Sequence, residues 1–111
     1  MAPTTLLGQK TATTPQGRDA MLQGYPLKIS ELLAQLPAVK YIERTALISP
    51  QRVLETKRAI TQAFKNQIDG IGFSMVEVLS PCPTYWGMPP KESMQWIQDV
   101  MTKEFPLGRI K

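Results

Sequence analysis

The order of hydrophobic and polar residues predicts a chain that begins as a loop and then alternates helices with strands. Residues 28–36 carry leucine and isoleucine at helical spacing, which predicts a short helix. Residues 39–44 alternate apolar and polar side chains, which predicts a strand with Val39, Tyr41 and Ile42 facing inward. The first half of the chain is therefore expected to place a helix directly before a strand.

A long amphipathic helix is predicted to follow, because Ser49 suits an N-cap and Pro50 suits the first helical position. Asp69 and Gly70 are predicted to end it, since glycine readily adopts the left-handed backbone found after helices. Its predicted apolar stripe, which is expected to face a core, consists of Val53, Ile60, Phe64 and Ile68, widened by Leu54, Ala59 and Ala63.

The run from Phe73 to Leu79 is nearly all apolar and predicts a strand covered on both faces. Strand, helix and strand in this order predict a right-handed βαβ unit with parallel strands. A last helix is expected over residues 91–104. Its predicted apolar face consists of Met94, Ile97, either Val100 or Met101, and Phe105. Because two strands are too few for a complete parallel sheet, the predicted fold class is α/β with a partial parallel sheet.

Residues 1–27 lack helical or strand periodicity and are rich in Thr, Pro and Gly, which predicts an extended, turning loop. We therefore divide the chain into this loop and a partial α/β domain over residues 28–111 that ends in a helix. A loop of this length is usually functional or disordered. A transit peptide is the alternative interpretation, although the amphipathic, arginine-bearing helix of such peptides is not evident.

The amino-acid composition restricts the possible chemistry of the chain more than it restricts the possible fold. With 111 residues the chain has the length of one domain, and no apolar run approaches the roughly 20 residues that span a bilayer. The absence of histidine excludes a Ser-His-Asp triad or a Cys-His dyad built from this chain alone. The net charge of +4 is spread along the chain without a basic run, so nucleic-acid binding is not predicted. One cysteine favours a reducing compartment, and we expect a cytoplasmic protein.

That cysteine, Cys82, is the main candidate for a functional residue. Pro81 and Pro83 stiffen the backbone on either side of it, directly after the predicted strand. Ligands bind at the carboxyl ends of strands in open parallel sheets. Three roles remain open: an inert small residue, a nucleophile that would need a basic neighbour, or a ligand to a metal or cluster with partner thiolates from elsewhere.

Three further side chains have two interpretations each. One interpretation places Tyr85 and Trp86 in a binding site, but isolated aromatic residues more often cover a core. Arg44, at the end of the first predicted strand, suits an acidic substrate or phosphate. Its alternative is an ion pair with a nearby carboxylate.

Four segments together resemble a known family. They are Met1-Ala-Pro-Thr-Thr-Leu-Leu-Gly8, Thr13-Thr-Pro-Gln-Gly-Arg18, Tyr41-Ile-Glu-Arg44 and Val76-Glu-Val-Leu-Ser-Pro-Cys-Pro-Thr-Tyr85. In this order the chain resembles the C-terminal part of the β subunit of 2-oxoacid:ferredoxin oxidoreductases, which is the thiamine-diphosphate-binding subunit. The first two segments are similar to the loop after the family's Thr-Gly-Gly-Gln, and the last is similar to its cysteine loop.

The resemblance implies oxidative decarboxylation of a 2-oxoacid, of the 2-oxoglutarate or branched-chain type, with coenzyme A to give an acyl-CoA and reduced ferredoxin. It implies thiamine diphosphate, Mg²⁺ and a 4Fe-4S cluster as cofactors, with Cys82 as the cluster's fourth thiolate ligand. The implied partners are the α subunit and, in some members, γ and δ subunits, together with ferredoxin.

The chain departs from the family pattern in one important respect. It contains no Gly-Asp-Gly, the segment by which the family holds Mg²⁺ and the diphosphate, and it carries one of four cluster thiolates. We therefore expect a fragment, or half of a split subunit, that is inactive alone. The alternative is a non-catalytic module that binds an oxidoreductase partner subunit.

Overall fold

A three-stranded sheet forms the centre of the molecule. The computed structural model describes residues 2–111, and the strand order is β2-β1-β3. Strand β1 (Val39–Ala46) pairs in parallel with β2 (Phe73–Leu79), and the short β3 (Gly108–Arg109) pairs antiparallel with β1. The predicted α/β class and the parallel βαβ unit are confirmed. The sheet is mixed because the C-terminal segment returns alongside β1.

Six α-helices and one π-helical turn surround the sheet in the described part of the chain. They are α1 (Ala20–Gln23), α2 (Ile29–Ala34), α3 (Pro50–Ile68), α4 (Pro83–Trp86), α5 (Pro90–Trp96), the π turn (Ile97–Met101) and α6 (Thr102–Glu104). Among these described residues, no helix combines the length and the apolar character needed to cross a bilayer.

The long helix α3 begins and ends where its sequence predicts. The Ser49 side chain accepts a hydrogen bond from the backbone N–H of Arg52 at 3.2 Å, which satisfies one of the free donors of the first turn. Asp69 is the C-cap, and Gly70 follows it with φ +64° in the left-handed region.

The side chains that α3 buries differ from the prediction. Thr56, Ala59 and Asn66 are its buried residues. Ala59 belongs to the predicted stripe, but Phe64 is 67% exposed and Ile68 is 82% exposed. Small and polar side chains bring α3 onto the sheet, where Asn66 donates a hydrogen bond to the Ser74 hydroxyl at 3.2 Å. The prediction that the large apolar stripe of α3 faces a core within this chain is therefore wrong.

Strand β2 is likewise less covered than its sequence predicts. Leu79 is its one buried residue, and Phe73 at the other end is 51% exposed. The prediction of a strand covered on both faces is wrong, because α3 packs through its small residues and leaves much of one face of β2 accessible.

The main core lies beneath the carboxyl ends of the two parallel strands. Ala46 and Leu79, which are partners in the β1–β2 register, pack with Ile97, Met101 and Phe105 from the C-terminal helical segment. Helical structure from residue 90 to residue 104 confirms the predicted last helix. The sequence pattern left open whether Val100 or Met101 lies on the apolar face. Met101 is buried and Val100 is 40% exposed, so Met101 lies on that face.

The N-terminal loop is ordered around the buried side chain of Arg18. Its guanidinium donates hydrogen bonds to the carbonyls of Thr5 and Tyr25 at 2.7 Å each and of Gly24 at 2.8 Å. Gly17 is required by a close approach, since a Cβ there would lie 2.8 Å from the carbonyl oxygen of Gly8. The loop also contains the single-turn helix α1, which the sequence did not indicate.

Candidate functional site

Cys82 lies in a turn at the carboxyl end of the parallel strands. It is the residue before α4, and its carbonyl accepts a hydrogen bond from the N–H of Trp86 at 2.9 Å. Pro83 takes the first position of this helical turn, a position that suits proline. The thiol is exposed to solvent on this rigid turn. The structure thus confirms that a stiff backbone presents Cys82 at the sheet edge where α/β proteins bind ligands.

The N-terminal loop contacts the cysteine turn, which comprises residues 82–87, although the two segments are far apart in sequence. The N–H of Ala12 donates to the carbonyl of Tyr85 at 3.0 Å, and the hydroxyl of Thr13 is hydrogen-bonded to the phenol of Tyr85. Residues 10–12 and 84–87 line a shallow groove of about 270 Å³ between the two segments. The threonine-rich loop and the cysteine turn therefore form one composite site.

The threonines of the loop divide into structural and exposed ones. The Thr11 and Thr14 hydroxyls are buried against each other at 2.6 Å, and Thr14 also donates to the carbonyl of Gln9 at 3.1 Å. Thr13, by contrast, is exposed beside the cysteine turn. Among these three threonines, Thr13 is thus the exposed one, and its hydroxyl links the loop to Tyr85.

The two aromatic residues of the turn have different roles. Trp86 packs against Trp96, with ring centroids 5.1 Å apart and an interplanar angle of 56°, and it covers the main core. Tyr85 instead anchors the N-terminal loop through both its carbonyl and its phenol. The core-covering interpretation holds for Trp86, whereas Tyr85 belongs to the composite site.

Arg44 is a buried structural residue. Its side chain is 1% exposed and forms ion pairs with Glu31 at 2.6 Å and with Glu77 at 2.9 Å. It also donates to the carbonyl of Pro106 at 3.1 Å, and its guanidinium lies 5.2 Å from the centroid of the Phe105 ring. Of the two interpretations of Arg44, the structure shows the ion pair with carboxylates. Binding of an acidic substrate by Arg44 is excluded because the guanidinium is enclosed.

Sequence reasoning missed the partners of Arg44, although one signal was available. Glu77 is the single charged residue in the apolar strand β2, and the β1–β2 register places it directly beside Arg44. A single charge within an otherwise apolar strand indicates an ion pair, since an unpaired buried charge is strongly unfavourable. No comparable signal marked Arg18, because its partners are all backbone carbonyls.

The hydrogen bond from Arg44 lowers the pKa of Glu31 below its ordinary value of 4.5. Because the pKa is lower in the folded protein, this pair stabilises the fold above about pH 4.5, and the contribution is lost as pH falls through the lower folded value. We therefore expect acid to destabilise α2 and β1, as measured by their amide exchange between pH 6 and pH 3. Glu31→Gln should reduce this pH dependence; an identical pH profile in the variant would contradict the assignment.

Cys82 has the chemistry of one cluster ligand. Thiolates hold iron in iron–sulfur clusters, and Cys82 is free and exposed to solvent. Within residues 2–111, no group of three Cys, His, Asp or Glu side chains is gathered to hold a metal ion. A cluster at Cys82 therefore needs further thiolates from residues outside this chain, because Cys82 is its single cysteine.

The fold and site define an incomplete α/β unit whose cysteine turn lies at the carboxyl ends of two parallel strands. The chain is 47% identical, over all 111 residues, to ketoisovalerate oxidoreductase subunit VorA of Methanothermobacter thermautotrophicus. It is 45% identical to the subunit of the same name from Methanothermobacter marburgensis. It is also 30% identical over 99 residues, 89% of its length, to 2-oxoglutarate synthase subunit KorB of Archaeoglobus fulgidus.

The chain spans only part of these relatives: 23% of each VorA subunit and 33% of the KorB subunit. No family model matches the chain, and no solved structure matches it. The relatives nevertheless show that the chain is homologous to subunits of 2-oxoacid oxidoreductases. The resemblance is confirmed at this level, while the assignment to the β subunit stays a prediction because the relatives carry two different subunit letters.

Proposed function

We propose that the chain is part of the thiamine-diphosphate-binding β subunit of a 2-oxoacid:ferredoxin oxidoreductase. The enzyme would oxidatively decarboxylate a 2-oxoacid, form an acyl-CoA and reduce ferredoxin. The observation that carries this proposal is the contact between the threonine loop and the cysteine turn, in a chain homologous along its whole length to a ketoisovalerate oxidoreductase subunit.

The substrate we propose is a branched-chain 2-oxoacid. The support is the higher identity to the two ketoisovalerate oxidoreductase subunits, 47% and 45%, than to the 2-oxoglutarate synthase subunit, 30%. Because a hydrophobic pocket that fits a branched side chain leaves the second carboxylate of 2-oxoglutarate unpaired, one enzyme should discriminate clearly between the two.

In this proposal the chain supplies one wall of the active centre. Thiamine diphosphate with Mg²⁺ supplies the carbanion-stabilising chemistry when it is bound. Residues outside this chain would hold both, since Gly-Asp-Gly does not occur in it. The rigid loop built around Arg18 positions Thr13 beside the cysteine turn, and Cys82 contributes one thiolate to a 4Fe-4S cluster.

The proposed activity requires partners. An α subunit, with γ and δ subunits in some assemblies, would complete the enzyme in the cytoplasm, and ferredoxin would accept the electrons. The alternative is a non-catalytic module that binds an oxidoreductase subunit, and the exposed apolar face of α3 is the observation that favours it. The two proposals differ in whether a complex that contains this chain oxidises a 2-oxoacid.

A substrate comparison on the assembled enzyme tests the substrate assignment. We expect kcat/KM for 2-oxoisovalerate to exceed that for 2-oxoglutarate by about 10²-fold or more, the scale set by one unpaired buried polar group. Pyruvate, which lacks the branched side chain, is the matched control and should fall below 2-oxoisovalerate. A preference for 2-oxoglutarate would contradict the branched-chain assignment.

A further inference from the structure

The open edge of β2 lies beside the apolar stripe of α3. In the part of the chain that the structure describes, β2 pairs with β1 alone, so its other edge has no strand partner. The opposite side of the sheet differs, because the C-terminal segment covers β1 there. Ile110 donates to the carbonyl of Ile42 at 2.8 Å, and Ile42 donates to the carbonyl of Lys111 at 3.2 Å.

Backbone directions identify which groups of β2 face the open edge. Phe73 donates its N–H to the carbonyl of Ala38, and the carbonyl of Leu79 accepts from Leu47, so odd-numbered residues of β2 bond toward β1. Since backbone groups alternate along a strand, the N–H and C=O groups of Ser74, Val76 and Val78 point outward. These outward groups form a row able to pair with another strand.

The sequence of β2 carries none of the usual protections of an exposed edge. Edge strands are commonly shielded by lysine, proline, bulges or inward-pointing charges, which make pairing with another strand unfavourable. The strand Phe-Ser-Met-Val-Glu-Val-Leu has no lysine or proline, and its one charge, on Glu77, is neutralised by Arg44. Nothing in β2 opposes pairing with a further strand.

An apolar groove continues from this edge onto α3. It has a volume of about 350 Å³ and is lined by the side chains of Ile60, Phe64, Phe73 and Val76. Phe64 and Phe73 are mostly accessible, and a large apolar surface of this kind marks an interaction site in a folded protein. The strand edge and the groove together form one continuous docking surface.

We propose that this surface receives a β-strand from the remainder of the same subunit, which pairs with β2 and covers the groove on α3. This inference rests on the proposed function, in which the chain is part of a longer subunit. The relatives support an occupant from the same chain, because two thirds or more of their length lies outside the matched segment. Parallel sheets need several strands with both faces covered, which a further strand and its connection would provide.

Amide hydrogen exchange in the full-length subunit tests the pairing with an internal reference. The amides of Met75 and Glu77 face β1 and should be protected. If a strand pairs with β2, the amides of Val76 and Val78 should exchange within about tenfold of those reference amides. Exchange of Val76 and Val78 that is about 100-fold faster or more, with Met75 and Glu77 still protected, would overturn the proposal.

Photo-crosslinking identifies the occupant. With p-benzoylphenylalanine in place of Phe64 in the assembled enzyme, we expect a crosslink to a peptide of the same subunit outside residues 1–111. The same photoreactive group at Lys65, an exposed position on another side of α3, is the control and should not yield that peptide. A crosslink to a second copy or to a different subunit, or no crosslink at all, would overturn the assignment.

These outcomes are separate from a failure of the proposed function. An enzyme that oxidises 2-oxoacids while the β2 edge exchanges freely would refute the docking surface alone. A subunit with a protected β2 edge and no 2-oxoacid chemistry would refute the proposed function alone.

Discussion

Arg44→Met is expected to destabilise the β1–β2 pair by about 3–5 kcal/mol, because it leaves the carboxylate of Glu77 buried without its partner. Glu31, whose side chain is 38% exposed, can regain water, whereas the side chain of Glu77 is only 12% exposed. In the full-length subunit, exchange of the β1 amides should accelerate by about 10²-fold to a few thousandfold, since each factor of ten corresponds to about 1.4 kcal/mol.

Two variants control for this effect. Arg44→Met combined with Glu77→Met replaces the ion pair by apolar side chains of similar volume and should recover much of the lost protection. Arg109→Met removes an exposed arginine that lies over the Tyr41 ring, 5.3 Å from its centroid, and should change exchange little. Unchanged protection in the Arg44→Met single variant would show that the pair is not structurally important.

If Cys82 is a ligand of the proposed cluster, Cys82→Ser removes that cluster from the assembled enzyme. A serine hydroxyl is a poor substitute for a thiolate on iron, so iron content and the visible absorbance of the cluster should fall. Binding of thiamine diphosphate should be largely retained, because residues outside this chain would hold it. Cys82→Ser should also abolish most of the electron transfer to ferredoxin.

Ser80→Ala is the matched control for the cysteine variant. Ser80 is exposed just before the cysteine turn and belongs to neither the core nor the groove, so its replacement should leave iron content unchanged. Full iron content in Cys82→Ser would refute the ligand role and leave Cys82 as an inert residue of the turn.

Local signals predicted the elements well because local chemistry determines them. The N-cap at Ser49 and the left-handed residue at Gly70 fix the ends of α3. The alternation over residues 39–44 correctly placed Val39, Tyr41 and Ile42 in the interior. Those features depend on neighbours in the sequence and need no knowledge of the rest of the fold.

The orientation of α3 could not be predicted in the same way. An apolar stripe indicates that a helix face is buried, but it does not identify the segment that buries it. In this chain Thr56, Ala59 and Asn66 face the sheet, and the stripe that includes Phe64 lies at the open groove. The missing information is the strand that the proposed docking surface would receive.

The candidate site was predictable in part. The prolines beside Cys82 and its position after a strand indicated a rigid, exposed thiol, and the structure confirms this arrangement. The contact between Thr13 and Tyr85 depends on tertiary structure, because Arg18 folds the N-terminal loop back through backbone carbonyls. Pairing of a side chain with backbone carbonyls leaves no pattern in the sequence.

The most direct test of the proposed function is ferredoxin reduction by the purified complex that contains the full-length subunit. We predict reduction that depends jointly on a branched-chain 2-oxoacid, coenzyme A and thiamine diphosphate, and that is lost in the Cys82→Ser complex but kept in Ser80→Ala. An assembled complex that holds thiamine diphosphate yet reduces no ferredoxin with any 2-oxoacid would contradict the account.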